Sequence, residues 1–110
     1  MIQIGTFTLK EDERRINYAQ CPKYDEWVDV KAGTYPVVAY EGDILNGNKV
    51  MSCYVRFGTH SEHWYGFIMG KQSNFTPAEG WKLHEYTYIG IDGEEKDTVE
   101  IIKMAEHATL

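Results

Sequence analysis

The chain has 110 residues, which suits one domain (residues 1–110) built around a single hydrophobic core. At 43% hydrophobic and 25% charged it has the composition of a globular protein, which excludes a disordered one. A formal charge of −6 argues against nucleic acid and against anionic membrane surfaces, both of which need Lys and Arg for neutralisation. It leaves room for a basic protein partner, although moderate negative charge mainly serves solubility. The opening MIQIGTFTLK lacks a basic segment followed by an apolar core, and no apolar run approaches a membrane span. The expectation is a soluble, cytoplasmic chain in which Cys21 and Cys53 are free thiols, a single disulfide being the alternative.

Taken in order, Ile2–Leu9 alternates weakly and reads as a strand ending at the charged cluster Lys10–Arg15, a surface turn or short helix. Ile16, Asn17 and Tyr18 read as a resumed strand, and Cys21–Glu26 reads as a loop because Pro22 cannot donate to a ladder. The clearest signal is Trp27–Tyr40, WVDVKAGTYPVVAY. Val28 and Val30 alternate with Asp29 and Lys31, Ala32-Gly33-Thr34 breaks the run, and Tyr35, Val37 and Ala39 resume it. This predicts a central hairpin. Pro36 implies that its second strand starts at an edge or begins unpaired.

Glu41-Gly42-Asp43 and Asn46-Gly47-Asn48 carry turn chemistry. Val50–Phe57 is the next strand, with Met51, Cys53, Val55 and Phe57 on one face and Ser52, Tyr54 and Arg56 on the other. Gly58–His63 is a polar loop, and Trp64–Met69 is apolar on both faces. Thr76-Pro77-Ala78-Glu79 has the form of a capping box, predicting a short helix or 3₁₀ turn to about His84. Tyr86–Ile91 reads as a strand ending at the turn dipeptide Asp92-Gly93. For residues 97–108, Asp97-Thr98-Val99-Glu100 favours a helix, with a strand through Val99 and Ile101 as the alternative.

Chemistry is sparse. His60 and His63 flank a Glu in a loop, so a transition-metal site completed by His84 and Cys53 is the metal hypothesis. The plainer reading is surface histidines, since HExxH and any second paired motif are absent. Cys53 alternates in phase with apolar residues, which marks it as an inert core thiol rather than a nucleophile. Asp43–Asn48 and Asp92–Asp97 lack the ligand spacing of a calcium loop. No phosphate loop, nucleophile elbow or cofactor fingerprint is present, so no cofactor is expected.

Aromatics carry the strongest hint, with eight Tyr, four Phe and three Trp. Tyr54, Tyr86 and Tyr88 fall opposite the apolar faces, and Trp64, Tyr65 and Trp81 lie at element ends. If exposed, these six form an amphipathic patch suited to a protein, a sugar or a stacked base. If a second layer covers them, they are core.

The run VDVKAGTYPVVAY, followed by NKVMSCYVRFG and Trp64, resembles the uncharacterised bacterial domain-of-unknown-function group DUF4241. The matching residues are Gly33, Tyr35, Pro36, Val37, Val55, Phe57 and Trp64, within residues 27–64. The resemblance implies a β-rich fold and carries no activity or site residue with it.

These readings lead to a single α+β, mainly-β domain: an antiparallel sandwich or strongly curled sheet of about six or seven strands with one or two short helices. The expected function is a non-catalytic binding or inhibitor module acting through a protein partner, of the phage-type inhibitor or immunity kind. The alternatives are a small-ligand binder that stacks a nucleotide or sugar on Tyr and Trp, with a homo-oligomer compatible, and a metal-dependent enzyme centred on His60 and His63.

Overall fold

A computed structural model of the chain describes residues 1–16, 27–58, 60–63 and 72–104. Its first feature is one long, bent two-stranded ribbon. Strand β1 (Ile2–Leu9) runs antiparallel to β4 (Gly33–Ala39), from the pair Ile2–Ala39 to the pair Leu9–Gly33. The ribbon continues as β2 (Glu13–Ile16) against β3 (Trp27–Val30), from Glu13–Val30 to Ile16–Trp27.

Asp12 makes the bend between the two halves. Its carboxylate accepts the Ala32 N–H at 2.8 Å and meets Lys31 Nζ at 3.4 Å. The Ala32 bond, aided by the Lys31 charge, holds the Asp12 carboxyl below the usual range. The Tyr35 hydroxyl donates to the Lys31 carbonyl on the same corner.

Two expectations change here. Trp27–Tyr40 is not a hairpin, because its two strands pair with different neighbours. Alternation identifies a strand but not its partner, and Ala32-Gly33 is a corner rather than a reversal. Glu13, Arg14 and Arg15, read as part of a surface turn or helix, belong to a strand, where Arg14 pairs across to Asp29 at 3.3 Å.

A five-stranded sheet grows around the first half of the ribbon in the order β8-β7-β4-β1-β9. The added strands are β7 (Tyr54–Phe57), β8 (His60–His63) and β9 (Phe75–Pro77). Residues 60–63, expected in a loop, therefore form an edge strand. Pro36 fits because β4 meets β7 only at Val37–Val55 and Val38–Tyr54, after the proline has passed. At Ile4 the register of β1 slips against β4, a β-bulge between Gln3 and Gly5. Gly5 then lies directly under the Phe75 ring.

The second sheet has four strands in the order β10-β11-β6-β5. These are β5 (Ile44–Leu45), β6 (Lys49–Val50), β10 (Trp81–Ile89) and β11 (Glu95–Lys103). Asn46 and Gly47, with φ of 54° and 78°, make the tight turn joining β5 to β6. Both helix expectations fail within the described residues. Thr76 and Pro77 pair with β1, and the capping-box sequence yields only a turn closed by Trp81 N–H on the Ala78 carbonyl at 3.0 Å. Residues 95–103 form β11, because Val99 and Ile101 alternate inward against Leu83 and Trp81 and the Thr98–Val99 and Ile101–Ile102 β-branched pairs suit a strand. The only helical pieces among the described residues are 3₁₀ turns at Glu41–Asp43 and Gln72–Asn74.

The two sheets share one hydrophobic cluster. Ile4, Phe7, Val37 and Val55 come from the first, Val50, Trp81, Val99 and Ile101 from the second, Val30 from the β2–β3 half of the ribbon, and Cys53 from the residues just before β7. Met51, expected on this face, is exposed; the inward pattern starts at Cys53. The fold is thus mainly β and antiparallel, as the alternation predicts. Among the described residues no helix is long and apolar enough to cross a membrane. The Cys21–Glu26 loop, the Trp64–Met69 strand and residues 105–108 lie outside the described residues.

Candidate functional site

Antiparallel pairing sorts the second sheet into two faces. Trp81, Leu83, Val99 and Ile101 point inward at its root. Lys82, His84, Tyr86 and Tyr88 share the outer face with Lys96, Thr98, Glu100 and Ile102 opposite them, and with Lys49 beside Ile102. His84 stacks on Tyr86 at 5.8 Å with 16° between the planes, and Tyr86 leans on Tyr88 at 6.3 Å.

Glu100 organises this face. Its side chain is 17% exposed and lies 3.0 Å from Lys49 Nζ and 3.1 Å from His84 Nδ1. Burial pushes the Glu100 carboxyl up, but the Lys49 and His84 contacts together overcome it and hold the group below its usual range. Reciprocally, the Glu100 bond raises Lys49.

Beyond the root, β10 and β11 run on as an arm. Thr87, Tyr88, Ile89 and Glu94–Asp97 are exposed. The tip turn is closed by Gly93 N–H on the Gly90 carbonyl at 2.9 Å, by Asp92 accepting Glu94 N–H at 3.1 Å, and by Lys96 on Asp92 at 3.2 Å. Asp92-Gly93 is the turn its sequence indicates. Ile89 is 65% exposed, Tyr88 45%, and Ile91 wholly so. Under the arm, a cavity of about 430 Å³ is lined by Gln72, Glu85, Thr87, Asp97 and Val99 among others, so its inner face is acidic. No strand pairs with the outer edge of β10 among the described residues.

The expected aromatic patch is divided by this arrangement. Tyr86 and Tyr88 lie together on the arm. Tyr54 is half-buried on the other sheet, edge-on to Tyr40 at 5.9 Å, so it shares no pocket with Tyr88. Trp81 is 9% exposed and part of the core, which removes it from any exposed patch. An element-end position did not reveal this, because β10 begins five residues earlier than the strand read at Tyr86. Trp64 and Tyr65 lie outside the described residues.

His60 and His63 open and close β8, in register with Phe57 and Tyr54. Their odd spacing puts the two positions on opposite faces of the sheet. The ligands proposed to complete a metal site are elsewhere: Cys53 is in the core, and His84 is on the outer face of the second sheet. Among the described residues no three His, Cys, Asp or Glu side chains converge as a metal site. Burial first, and the Asp43 charge second, push the Cys53 thiol far above its ordinary value, as suits a core residue.

No family model matches the chain, and no curated protein or solved structure does either.

The Lys49–Glu100–His84 cluster and the apolar arm tip were missed from sequence. Both depend on the β10–β11 register. That register becomes readable only when Gly90–Glu94 is recognised as a hairpin turn rather than the approach to a helix.

Proposed function

We propose that the chain is a non-catalytic binding module that acts through a protein partner, in the manner of small inhibitors and immunity proteins, in the cytoplasm. The observation that carries this reading is the β10–β11 arm. It offers a nine-residue strand whose outer edge has no partner among the described residues, and a tip bearing Tyr88, Ile89 and Ile91 in water. An open edge exposes backbone N–H and C=O groups that a partner strand can pair with, and exposed side chains beside it supply specificity. The acidic inner face, with Glu85 and Asp97, favours a partner with basic side chains there.

The test is a pulldown with the full-length tagged chain from extracts of the source cell or its infecting virus, alongside the double variant Ile89→Lys/Ile91→Lys. Both positions are exposed, so the variant's stability should stay within about 0.5 kcal/mol of the native chain. A stoichiometric partner retained by the native chain and lost by the variant is the expected result. Absence of any stoichiometric partner, or equal retention by the variant, overturns the reading.

A further inference from the structure

A second site lies on the outer face of the five-stranded sheet, away from the arm. There β7 stops pairing with β4 beyond Val55–Val37, and Pro36 brings no N–H with which to continue the ladder. The space between them is a groove of about 590 Å³ lined by Met1, Gln3, Tyr35, Pro36, Val38 and Arg56 among others. That volume falls within the range of small-molecule sites. Most of the lining is apolar, and Arg56 is its one charged side chain among the described residues.

Arg56 is held unusually. Its Nη1 donates to the Met1 thioether sulfur at 3.1 Å, a weak acceptor. Its Nε is shielded from water and has no hydrogen-bond partner among the described residues. Four other cations in this acidic chain meet carboxylates: Arg14 at Asp29, Lys31 at Asp12, Lys49 at Glu100 and Lys96 at Asp92. A guanidinium presents paired donors in a planar fork that matches a carboxylate in two parallel bonds. Burying such a donor without an acceptor is unfavourable unless something else completes it.

We infer that this groove binds a small monocarboxylate with an apolar body. Its carboxylate is bonded by Arg56 Nε and an Nη, displacing the thioether, and its hydrocarbon lies along Tyr35, Pro36 and Val38. A single guanidinium fork in an apolar groove matches one carboxylate, whereas a phosphate would call for further side-chain donors, and Arg56 is the one charged side chain in the described lining.

The experiment uses octanoate on the full chain, with octan-1-ol and inorganic phosphate as controls. It is followed by titration calorimetry and by the Nε–H resonance of Arg56, assigned by its loss in R56Q. Saturable octanoate binding that shifts this resonance is expected, with octanol at least tenfold weaker and phosphate inert. R56Q should bind octanoate at least tenfold more weakly with unchanged thermal unfolding. R56K keeps the charge but not the fork and should fall between the two. Equal binding of octanoate and octanol, tight binding of phosphate, an unmoved Nε–H resonance, or undiminished binding in both variants would each overturn the proposal. If R56Q does not fold, R56K and the octanoate–octanol comparison on the native chain still decide it. A short apolar peptide with a free C-terminal carboxylate is the last arm: binding at least tenfold tighter than octanoate would replace the small molecule by a chain terminus.

Discussion

Gly5 offers a sharp test of how the two sheets are joined. It follows the β1 bulge, and a Cβ built there would sit 2.5 Å from Phe75 Cε1 and Cζ and 2.6 Å from the Thr76 carbonyl oxygen. Comfortable carbon contacts lie at about 3.5–4.0 Å, so Gly5→Ala demands a shift of roughly 1 Å in the ring and the β9 backbone together. The ring is 5% exposed within the core and cannot swing into water. Overpacking of this kind costs about 1–3 kcal/mol. At roughly 4–8 °C per kcal/mol for a domain near this size, Tm should fall by about 4–24 °C.

Urea and thermal unfolding of Gly5→Ala, Phe75→Leu and the double variant form a cycle. Leucine removes the two ring atoms but leaves the Thr76 carbonyl in place. The double variant should therefore be less destabilised than the two singles combined, by at least about 0.5 kcal/mol. A Gly5→Ala chain within 0.5 kcal/mol of native, or strict additivity in the cycle, would refute the reasoning.

Three further outcomes follow from the ionisable groups. Because the Glu100 carboxyl is lowered on folding, its stabilisation is complete above the unfolded carboxyl range and is lost as pH falls through the lower folded value. Glu100→Gln should cost about 1 kcal/mol at neutral pH, its partners being partly exposed, and the gap to the native chain should close below about pH 4, read from urea midpoints across pH 2–8. Lys49 is raised, so its share is present below its ordinary value and is lost only as alkaline pH passes through the folded one. Cys53 should resist iodoacetamide at pH 8 in the native chain and react once denaturant is added, as peptide mapping would show. Rapid native modification at Cys53 would contradict its place in the core.

The sheet-forming segments were legible wherever alternation was strong and local. Ile2–Leu9 is a strand with the very limits its pattern implies, and Val55 and Phe57 face inward with Cys53 as their phase requires. Pairing was not legible. The Ala32-Gly33 break looks like a reversal until Asp12, some twenty residues away, is known to hold it as a corner. The C-terminal stretch failed differently. Asp97-Thr98-Val99-Glu100 satisfies a capping box, and Val99 and Ile102 satisfy a helical period, but burial against Trp81 and Leu83 rewards the period of two. Of the site, the Tyr86–Tyr88 pair was visible as a polar-face stripe. Ile89 and Ile91 were not, because an exposed isoleucine is indistinguishable in sequence from a buried one.

The bent ribbon also dictates the order in which entropy is surrendered. Ile16 and Trp27 are near neighbours along the chain, whereas Ile2 and Ala39 close a loop more than three times as long. The logarithmic law for loop closure makes the long contact more costly by about 1 kcal/mol if it forms first. If β2 and β3 pair first, the later contacts are reached a residue at a time, and Asp12 stands where that zipper must turn a corner. The chain's most distant sequence contact in the ribbon is thereby assembled from short steps, and the corner carboxylate becomes a kinetic element as well as a structural one.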